Sequence, residues 1–253
     1  MPAKWTTRFE VKPGRWVFVP TDEVVQQGRE IKGAIEKIWK APDYYYHLRS
    51  GGHVAALREH IASQVFLHLD IEDFFGSISA NRITRALKGK VSYATAREWA
   101  TESVVRHPSD SKKTILPFGF VQSQILASLV LRDTALGRRI HDASKQPGLV
   151  VTVYVDDILI SCPDMETAKA VAAELKATAE RSNFVLSEKK TEGPAPAVTA
   201  FNVVLANHSL EISAARMAEF KAVLEKTTSE RQREGILRYI GQVNAVQVEE
   251  VAG

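Results

Sequence analysis

Apolar and polar residues alternate along the chain with two periods, one typical of amphipathic helices and one typical of strands. Segments with helical spacing follow candidate N-caps, whereas runs rich in β-branched and aromatic residues predict strands. The predicted helices begin at Thr21, His53, Ser79, Ser92, Val121, Asp164, Ser213 and Ser229, and the one from Val121 extends to Ile140. The predicted strands are YYYHLR, QVFLHLDI, LVVTVYV, ILISC, a stretch around Phe184 and the hairpin AFNVVLANHSLEI, while residues 106–113 predict a polar loop.

The order of these elements indicates the fold class. A strand, several helices, a hairpin, another helix and a final hairpin follow one another with short connections. This order is typical of an α+β domain, in which an antiparallel sheet carries helices on one face. The opposite face of the sheet would then be free to bind a ligand.

Two adjacent carboxylates, Asp156 and Asp157, interrupt the apolar run VTVYVDDILIS at the tip of the predicted hairpin. Adjacent carboxylates repel one another and lose hydration, which raises their pKa values and destabilises the fold unless a cation is present. A third acid, Asp70, ends the buried strand QVFLHLDI. Three such acids predict a site for two Mg²⁺ ions, about 3.5 to 4 Å apart, that serves phosphoryl transfer. A solvated β-turn explains the aspartate pair equally well, because Asp is common in turns.

Composition narrows the class of protein without naming a ligand. The 253 residues are 45% hydrophobic with a net charge of +3, which is typical of a globular protein and permits a nucleic-acid partner without requiring one. Lys and Arg outnumber Asp and Glu over residues 82–113, the candidate surface for a nucleic-acid backbone. A lone cysteine, Cys162, excludes an internal disulfide, and no apolar run reaches the roughly 20 residues that span a bilayer. We therefore expect a cytoplasmic protein with no membrane partner.

Three motifs favour the catalytic interpretation over the simple turn. HLDIEDFFGSI at residues 68–78, LPFGFVQSQILASL at 116–129 and YVDD at 154–157 occur in this order. Together they resemble the motifs of reverse transcriptases, particularly bacterial ones of the retron, group II intron and phage-defence types. The resemblance covers residues 44–245, most of the chain.

This resemblance implies a right-hand polymerase palm, with helical fingers and a short helical thumb. Residues 1–69 would form the N-terminal helix and fingers. Residues 70–205 would form the palm, with inserted fingers helices over residues 79–115, and residues 206–253 would form the thumb.

The resemblance assigns the three acids to a metal site. Asp70 and Asp156 would hold two Mg²⁺ ions, for which Mn²⁺ can substitute, and the main-chain carbonyl of Ile71 would add a ligand. Asp157 would support the site electrostatically.

The resemblance also places a nucleotide against the turn after the first acid. Asp73 and the main-chain amides of residues 73–75 would lie near the triphosphate. Phe75 would form a steric gate beneath the sugar and select dNTPs over NTPs. Core packing is the better explanation of the neighbouring side chain, Phe74.

Further contacts with the substrate follow from the same resemblance. Gly119 would let the backbone approach the nascent base pair, although any tight turn also favours glycine. Lys190 in LSEKKT would protonate the leaving pyrophosphate, with Lys189 as the alternative match. Arg49 and Lys40 would hold the triphosphate from the fingers, although most surface cations are simply solvated.

The chain departs from the family pattern in two places. Phe118 stands where the family usually has a Gln whose amide contacts the nucleotide, and an aromatic ring cannot make that hydrogen bond. Gln124 stands where the family commonly has a proline, directly after Ser123. Ser123 either matches a serine of the family pattern or only caps a helix. The thumb is also short, so a partner protein, a second copy of the chain or a structured noncoding RNA would supply the missing grip.

The leading interpretation is an RNA-directed DNA polymerase that uses dNTPs with an RNA template or noncoding RNA and makes a DNA product. Its expected biological role is bacterial anti-phage defence or a related noncanonical role. Two alternatives remain. One is a palm polymerase with relaxed or no templating, which Phe118 leaves open. The other is a non-catalytic palm scaffold for a partner polymerase, against which the retention of three mutually repelling acids argues.

Overall fold

The computed structural model describes residues 3–12 and 14–252. The strands are β1 Trp5–Lys12, β2 Arg15–Pro20, β3 Val65–Asp70, β4 Val105–His107, β5 Asp110–Ile115, β6 Val150–Tyr154, β7 Asp157–Cys162, β8 Glu192–Ala195, β9 Ala197–Ala200, β10 Val203–Ala206 and β11 Ser209–Ile212. The α-helices are α1 Asp22–Ile38, α2 Gly52–Arg58, α3 Ala80–Leu87, α4 Tyr93–Ser103, α5 Ser123–Asp133, α6 Ala135–Ala143, α7 Met165–Arg181, α8 Ala214–Lys226, α9 Glu230–Val243 and α10 Val246–Ala252.

A four-stranded antiparallel sheet with the order β6-β7-β3-β8 forms the centre of the fold. On one face, Leu67 and Leu69 of β3 pack against α3, α5, α6 and α7 in the larger hydrophobic core. On the other face, Phe66 packs into a second core with the sheet β11-β10-β9 and with α8 and α9. Because side chains alternate along a strand, His68 and Asp70 lie on this second face, away from the larger core.

Two hairpins stand beside the central sheet. In the first, β1 and β2 pair in an antiparallel manner, and the Phe18 N–H of β2 donates to the Phe118 carbonyl at 3.1 Å. Lys4 anchors this hairpin by donating to the Val104 carbonyl at 3.1 Å, just beyond the end of α4, where helix carbonyls lack helical partners. The second hairpin pairs β4 with β5.

The structure confirms the α+β fold class and most of the predicted helix starts. At each confirmed start a hydroxyl or carboxylate accepts a hydrogen bond from the backbone N–H three residues later, which satisfies one of the donors that the first turn leaves free. These N-caps are Thr21, Ser79, Ser92, Asp164, Ser213 and Ser229. Among the described residues, no helix combines the length and the apolar character needed to cross a membrane.

Four predicted elements are wrong. In YYYHLR only Tyr45 makes a β-bridge, with Val153, and Tyr46–Leu48 form a 3₁₀ turn. Residues 106–113 lie in the β4–β5 hairpin rather than in a loop. The stretch around Phe184 is not a strand, and β8 supplies the fourth strand of the central sheet.

The fourth error is the long helix, which the structure divides into α5 and α6 at Thr134. The Thr134 backbone is extended, with φ −86° and ψ 170°, and its side chain accepts a hydrogen bond from the Gly137 N–H at 3.1 Å. A Cβ at Gly137 would lie 1.9 Å from the Leu131 carbonyl oxygen, so only glycine permits this sharp break. The strands β1, β2, β8 and β9 were not predicted, and the boundaries proposed for fingers, palm and thumb stay predictions.

A buried histidine joins the central sheet to the segment before it. His60 is fully buried, and its Nδ1 and Nε2 each lie 2.9 Å from a hydroxyl, those of Ser161 on β7 and Thr152 on β6. Burial lowers the pKa of His60 to about 3, so the ring is neutral in the folded protein. An unfolded chain would take up a proton near the ordinary histidine value.

We expect acid to destabilise the protein through His60. Lowering the pH from about 7.5 to about 5 should cost about 2 kcal/mol at this residue, because the unfolded state binds a proton that the folded state excludes. In His60→Gln this part of the pH dependence should vanish, although the variant is less stable at neutral pH. Urea denaturation at both pH values measures the effect, with exposed His208→Gln as the control. Equal pH dependence in the wild type and His60→Gln would contradict the expectation.

Candidate active site

The acids meet where β3 and β7 pair at the end of the central sheet. Asp70 is the cross-strand partner of Asp157, and the Ile71 N–H donates to the Asp156 carbonyl at 3.0 Å. Directly paired residues place their side chains on the same face of a sheet, with their Cβ atoms about 5 Å apart. Asp70 and Asp157, which are distant along the chain, are therefore brought to one edge of the sheet, with Asp156 beside them.

Two of the three acids have cationic or hydrogen-bonding partners. Lys190 donates from Nζ to Asp70 Oδ2 at 2.7 Å, and Asp70 is almost fully buried. Burial acts to lower the pKa of Lys190, but the hydrogen bond and charge of Asp70 outweigh it and the pKa is raised. The Nε2 of His68 lies 2.7 Å from Asp157 Oδ1, and because a carboxylate only accepts, Nε2–H is the donor.

Asp156 is the acid whose ionised form is least supported. Burial and, to a smaller extent, the charge of Asp157 raise the pKa of Asp156 to about 6. Its ionised form at neutral pH therefore costs folding free energy. A bound cation would remove that cost.

Two of the acids, Asp70 and Asp156, line a cleft of about 570 Å³. Its other walls come from the β1–β2 hairpin, the turn after β3, the β4–β5 hairpin and the LPFG turn. Besides Asp70 and Asp156, the lining includes Lys12, Arg15, Ile71, Asp73, Phe74, Phe75, His107, Phe118 and Lys190. The lining of the cleft thus combines acids, basic side chains and aromatic rings.

The aromatic wall has a defined geometry. The rings of Phe75 and Phe118 meet edge to face, with their centroids 5.7 Å apart. The Arg15 guanidinium lies 5.1 Å from the centroid of the Phe118 ring, a cation–π contact that fixes a cation beside it. Phe118 is 38% exposed, so a large apolar surface faces the cleft.

Several residues predicted for the site lie in the cleft. Asp73 has φ 44° and its carboxylate lies 3.9 Å from Lys113 Nζ. Phe74 also lines the cleft, and its ring packs against Phe184 in the core. Lys189 and Lys190 are both exposed, and it is Lys190 that contacts an acid.

Three other predicted residues have different surroundings. The Arg49 guanidinium donates to the Asp43 carbonyl at 2.8 Å and stacks on Tyr46. Arg49 lines two cavities other than the cleft, and Lys40 lines one of these two. A Cβ at Gly119 would lie 2.6 Å from the Phe18 carbonyl oxygen, so packing against β2 requires this glycine, and it does not line the cleft.

Two further residues hold structure together. Ser123 is buried and donates to the Pro117 carbonyl at 2.7 Å, which stabilises the LPFG turn. Arg82, in the basic stretch proposed for nucleic acid, lies 4.2 Å from the centroid of the Phe184 ring and donates to the Ser182 carbonyl.

The basic side chains that reach the cleft from the two hairpins were not predicted from the sequence. Lys12 and Arg15 lie on either side of the β1–β2 turn, and His107 comes from β4. A signal for the first hairpin was present, because WTTRFEVK and RWVFVP contain alternating polar and apolar residues on either side of Gly14. The approach of this hairpin to the acids depends on its contact with the LPFG turn and had no local signal.

The site fits a divalent cation by the chemistry of its donors. Among the described residues, no three His, Cys, Asp or Glu side chains are grouped closely enough to hold a metal ion. The carboxylates of Asp70 and Asp156 are nevertheless the hard oxygen ligands that Mg²⁺ prefers. The Lys190 ammonium contact and the raised pKa of Asp156 both indicate that positive charge is favoured here.

The family model described as reverse transcriptase (RNA-dependent DNA polymerase) matches residues 24–226, most of the chain. The chain belongs to the reverse transcriptase family. Reverse transcriptases generally use divalent metal ions, which agrees with the donor set of this member. The matched range includes all three acids and Lys190.

Two curated relatives are retron reverse transcriptases. The Ec86 enzyme of Escherichia coli is 25% identical over 214 residues, covering 82% of this chain and 63% of that protein. The Mx65 enzyme of Myxococcus xanthus is 28% identical over 218 residues, covering 76% of this chain and 49% of that protein. This reverse transcriptase chain thus spans half to two thirds of the length of these relatives.

A solved structure supports the same fold. Telomerase from Candida albicans, in complex with a fragment of telomeric RNA, superposes with a TM-score of 0.55 and 10% identity over 91% of this chain and 47% of that one. At this identity the likeness shows a shared fold alone. It agrees with the palm, fingers and thumb arrangement predicted for this reverse transcriptase.

We expect Asp156→Asn to stabilise the metal-free protein. At neutral pH the gain should be about 2 kcal/mol, because the variant no longer buries a charge beside Asp157. The folded pKa of Asp156 is raised to about 6, so its cost is present above that pH and disappears as the native carboxyl is protonated below it.

Urea denaturation in EDTA at about pH 8 and about pH 4.5 measures this gain and its loss. The control is Asp164→Asn, which keeps an acceptor for the N-cap of α7 outside the cleft and should change little. A variant less stable than the wild type at the higher pH would contradict the expectation.

Proposed function

We propose that this chain is an RNA-directed DNA polymerase that extends a primer with dNTPs, releasing pyrophosphate. The observation that carries the proposal is the pairing of Asp70 with Asp157 at one end of a cleft that also contains Lys190 and the aromatic wall. The family match supports the same reaction. Because the chain covers only part of its relatives, the activity is proposed from the site itself.

Asp70 and Asp156 would hold divalent cations, with the Ile71 carbonyl as a further ligand. When bound, two Mg²⁺ ions would lower the pKa of the primer 3′-hydroxyl and neutralise the charge that develops on the triphosphate. Asp157 remains held by His68 and would contribute negative charge without moving. Mn²⁺ offers the same charge to the same oxygen ligands and is proposed as a substitute ion.

Lys190 is suited to the leaving group. Its raised pKa keeps the ammonium charged, and its contact with Asp70 places it beside the metal ligands. From this position in the cleft the ammonium would bind the triphosphate and give a proton to the leaving pyrophosphate. Lys12 and Arg15 would hold the outer phosphates from the opposite wall.

The aromatic wall supports selection of deoxynucleotides. Phe75 follows the metal-binding turn directly, and the edge-to-face contact with Phe118 restricts movement of its ring. A 2′-hydroxyl against this surface would lose water without gaining a hydrogen-bond partner. We therefore assign Phe75 the role of excluding ribonucleotides.

The partners follow from this reaction. An RNA template or noncoding RNA and a DNA product are proposed on the family match. A role in bacterial defence against phages is proposed on the motif resemblance alone. Cells that carry the gene with its native neighbours should resist phage infection, and resistance that survives Asp156→Asn would contradict a role for DNA synthesis.

We expect the purified protein, together with its copurifying RNA, to incorporate labelled dNTPs in Mg²⁺. Asp156→Asn and Asp70→Asn should each lower incorporation by about a hundredfold or more, because they remove charge that the reaction requires. Omitting RNA tests untemplated synthesis, and supplying each dNTP alone tests relaxed templating. Incorporation that survives both substitutions would overturn the polymerase assignment and favour a scaffold that acts with a contaminating polymerase.

We expect Phe75→Val to admit ribonucleotides. The ratio of NTP to dNTP incorporation should rise roughly tenfold to a hundredfold, since a smaller side chain leaves space for the 2′-hydroxyl. Competition between labelled dGTP and GTP measures the ratio, with exposed Tyr93→Ala as the control outside the cleft. An unchanged ratio with normal dNTP turnover would show that Phe75 is a packing residue.

A further inference from the structure

The turn that carries the two acids has an unusual backbone. Val155, directly before Asp156, has φ 60°. A β-branched residue in this left-handed region is strained and persists only when its surroundings stabilise it. The stabilising contact must come from outside the turn.

His47 makes that contact. The Val155 N–H donates to His47 Nδ1 at 2.9 Å, across 108 positions of the chain. On either side of Val155 the backbone is tied to other partners: the Val153 N–H donates to the Tyr44 carbonyl at 2.8 Å, and the Asp156 carbonyl accepts from the Ile71 N–H at 3.0 Å. His47 thus completes a row of three backbone contacts along the turn.

The His47 ring is held in one orientation and one tautomer. Its Nε2 lies 2.7 Å from Ser128 Oγ, and the Ser128 hydroxyl donates to the Gln124 carbonyl at 2.9 Å. Nδ1 also lies 3.4 Å from the Val153 carbonyl, but it accepts from the Val155 N–H at the shorter distance of 2.9 Å and so carries no proton. Because the Ser128 proton is already used, Nε2 carries the ring proton and donates to Ser128. Burial lowers the pKa of His47 to about 4, so the ring is neutral and Nδ1 keeps its lone pair at neutral pH.

We propose that His47 is a positioning residue for Asp156 and Asp157: by accepting the Val155 N–H, it holds the turn in the left-handed conformation that presents Asp156 to the cleft and keeps Asp157 paired with Asp70. The role is indirect, since His47 does not line the cleft and contacts neither acid. The inference rests on the proposed function, because the placement of the acids matters for turnover only in a catalytic chain. The hydrogen bond should also protect the Val155 amide from exchange with solvent. This second expectation can be tested in a protein that has no activity.

The experiment compares three variants. His47→Asn keeps an acceptor close to the position of Nδ1, whereas His47→Leu removes it. His60→Leu is the matched control, because His60 is also a buried neutral histidine bonded to hydroxyls, but its partners lie on β6 and β7 away from the turn. Thermal unfolding, steady-state dNTP incorporation and hydrogen exchange of the Val155 amide in metal-free protein are measured on each.

For His47→Leu we expect kcat about tenfold lower, because a partly buried amide loses its partner, with the KM for dNTP changed less than about twofold. Val155 amide exchange should accelerate at least about tenfold in the same variant. His47→Asn should recover most of kcat and protection. His60→Leu should lose thermal stability, with kcat of the folded protein and Val155 exchange unchanged.

Three results would overturn the inference: Val155 exchange in His47→Leu equal to that of the wild type, an Asn variant as impaired as the Leu variant, or a loss of kcat in His60→Leu as large as in His47→Leu. If His47→Leu does not fold, Ser128→Ala replaces it, since it removes the acceptor of the His47 Nε2–H and should accelerate Val155 exchange. If the wild type itself incorporates no dNTP, the proposed function fails, and the exchange measurement alone decides whether His47 holds the turn.

Discussion

The pairing of β3 with β7 is the constraint on which the site depends. In this register Leu67 and Leu69 enter the larger core together with Ile158 and Ile160, while Asp70 faces the cleft. Because side chains alternate along a strand, a slip of one residue would bury Asp70 in that core and expose Leu69. The apolar side chains that stabilise the fold therefore also determine where the acids lie. The geometry of the cleft depends on the packing of the core.

This arrangement concentrates three carboxylates at the end of the sheet, where they repel one another. Lys190 donates a hydrogen bond to Asp70 and His68 donates one to Asp157, whereas burial raises the pKa of Asp156 to about 6. The three acids thus have three different environments. Strained electrostatics of this kind are typical of functional sites, where a ligand supplies what the fold lacks. Here additional positive charge next to Asp156 would offset the cost of its burial.

The cleft is assembled from segments that are distant along the chain. Backbone hydrogen bonding between Phe18 and Phe118 attaches the N-terminal hairpin to the LPFG turn, and the absence of a side chain at Gly119 permits that close approach. This contact brings Arg15 over the Phe118 ring, which in turn meets Phe75. The arginine that lines the cleft is therefore Arg15 of β2. Arg49, to which the family resemblance assigns this role, lines other cavities.

The sequence by itself determined the local features: the helix caps at Thr21, Ser79 and Asp164, the acidic hairpin tip, and the order of motifs that indicates the family. Each of these depends on hydrogen bonds or periodicity within a few residues, so it can be recognised from neighbours in the chain. Only the tertiary structure decided which cations enter the cleft, which of Lys189 and Lys190 meets Asp70, and which residue supports Val155. Those outcomes depend on which faces of remote segments pack together, and this is set by burial over the whole chain rather than by any short stretch of it.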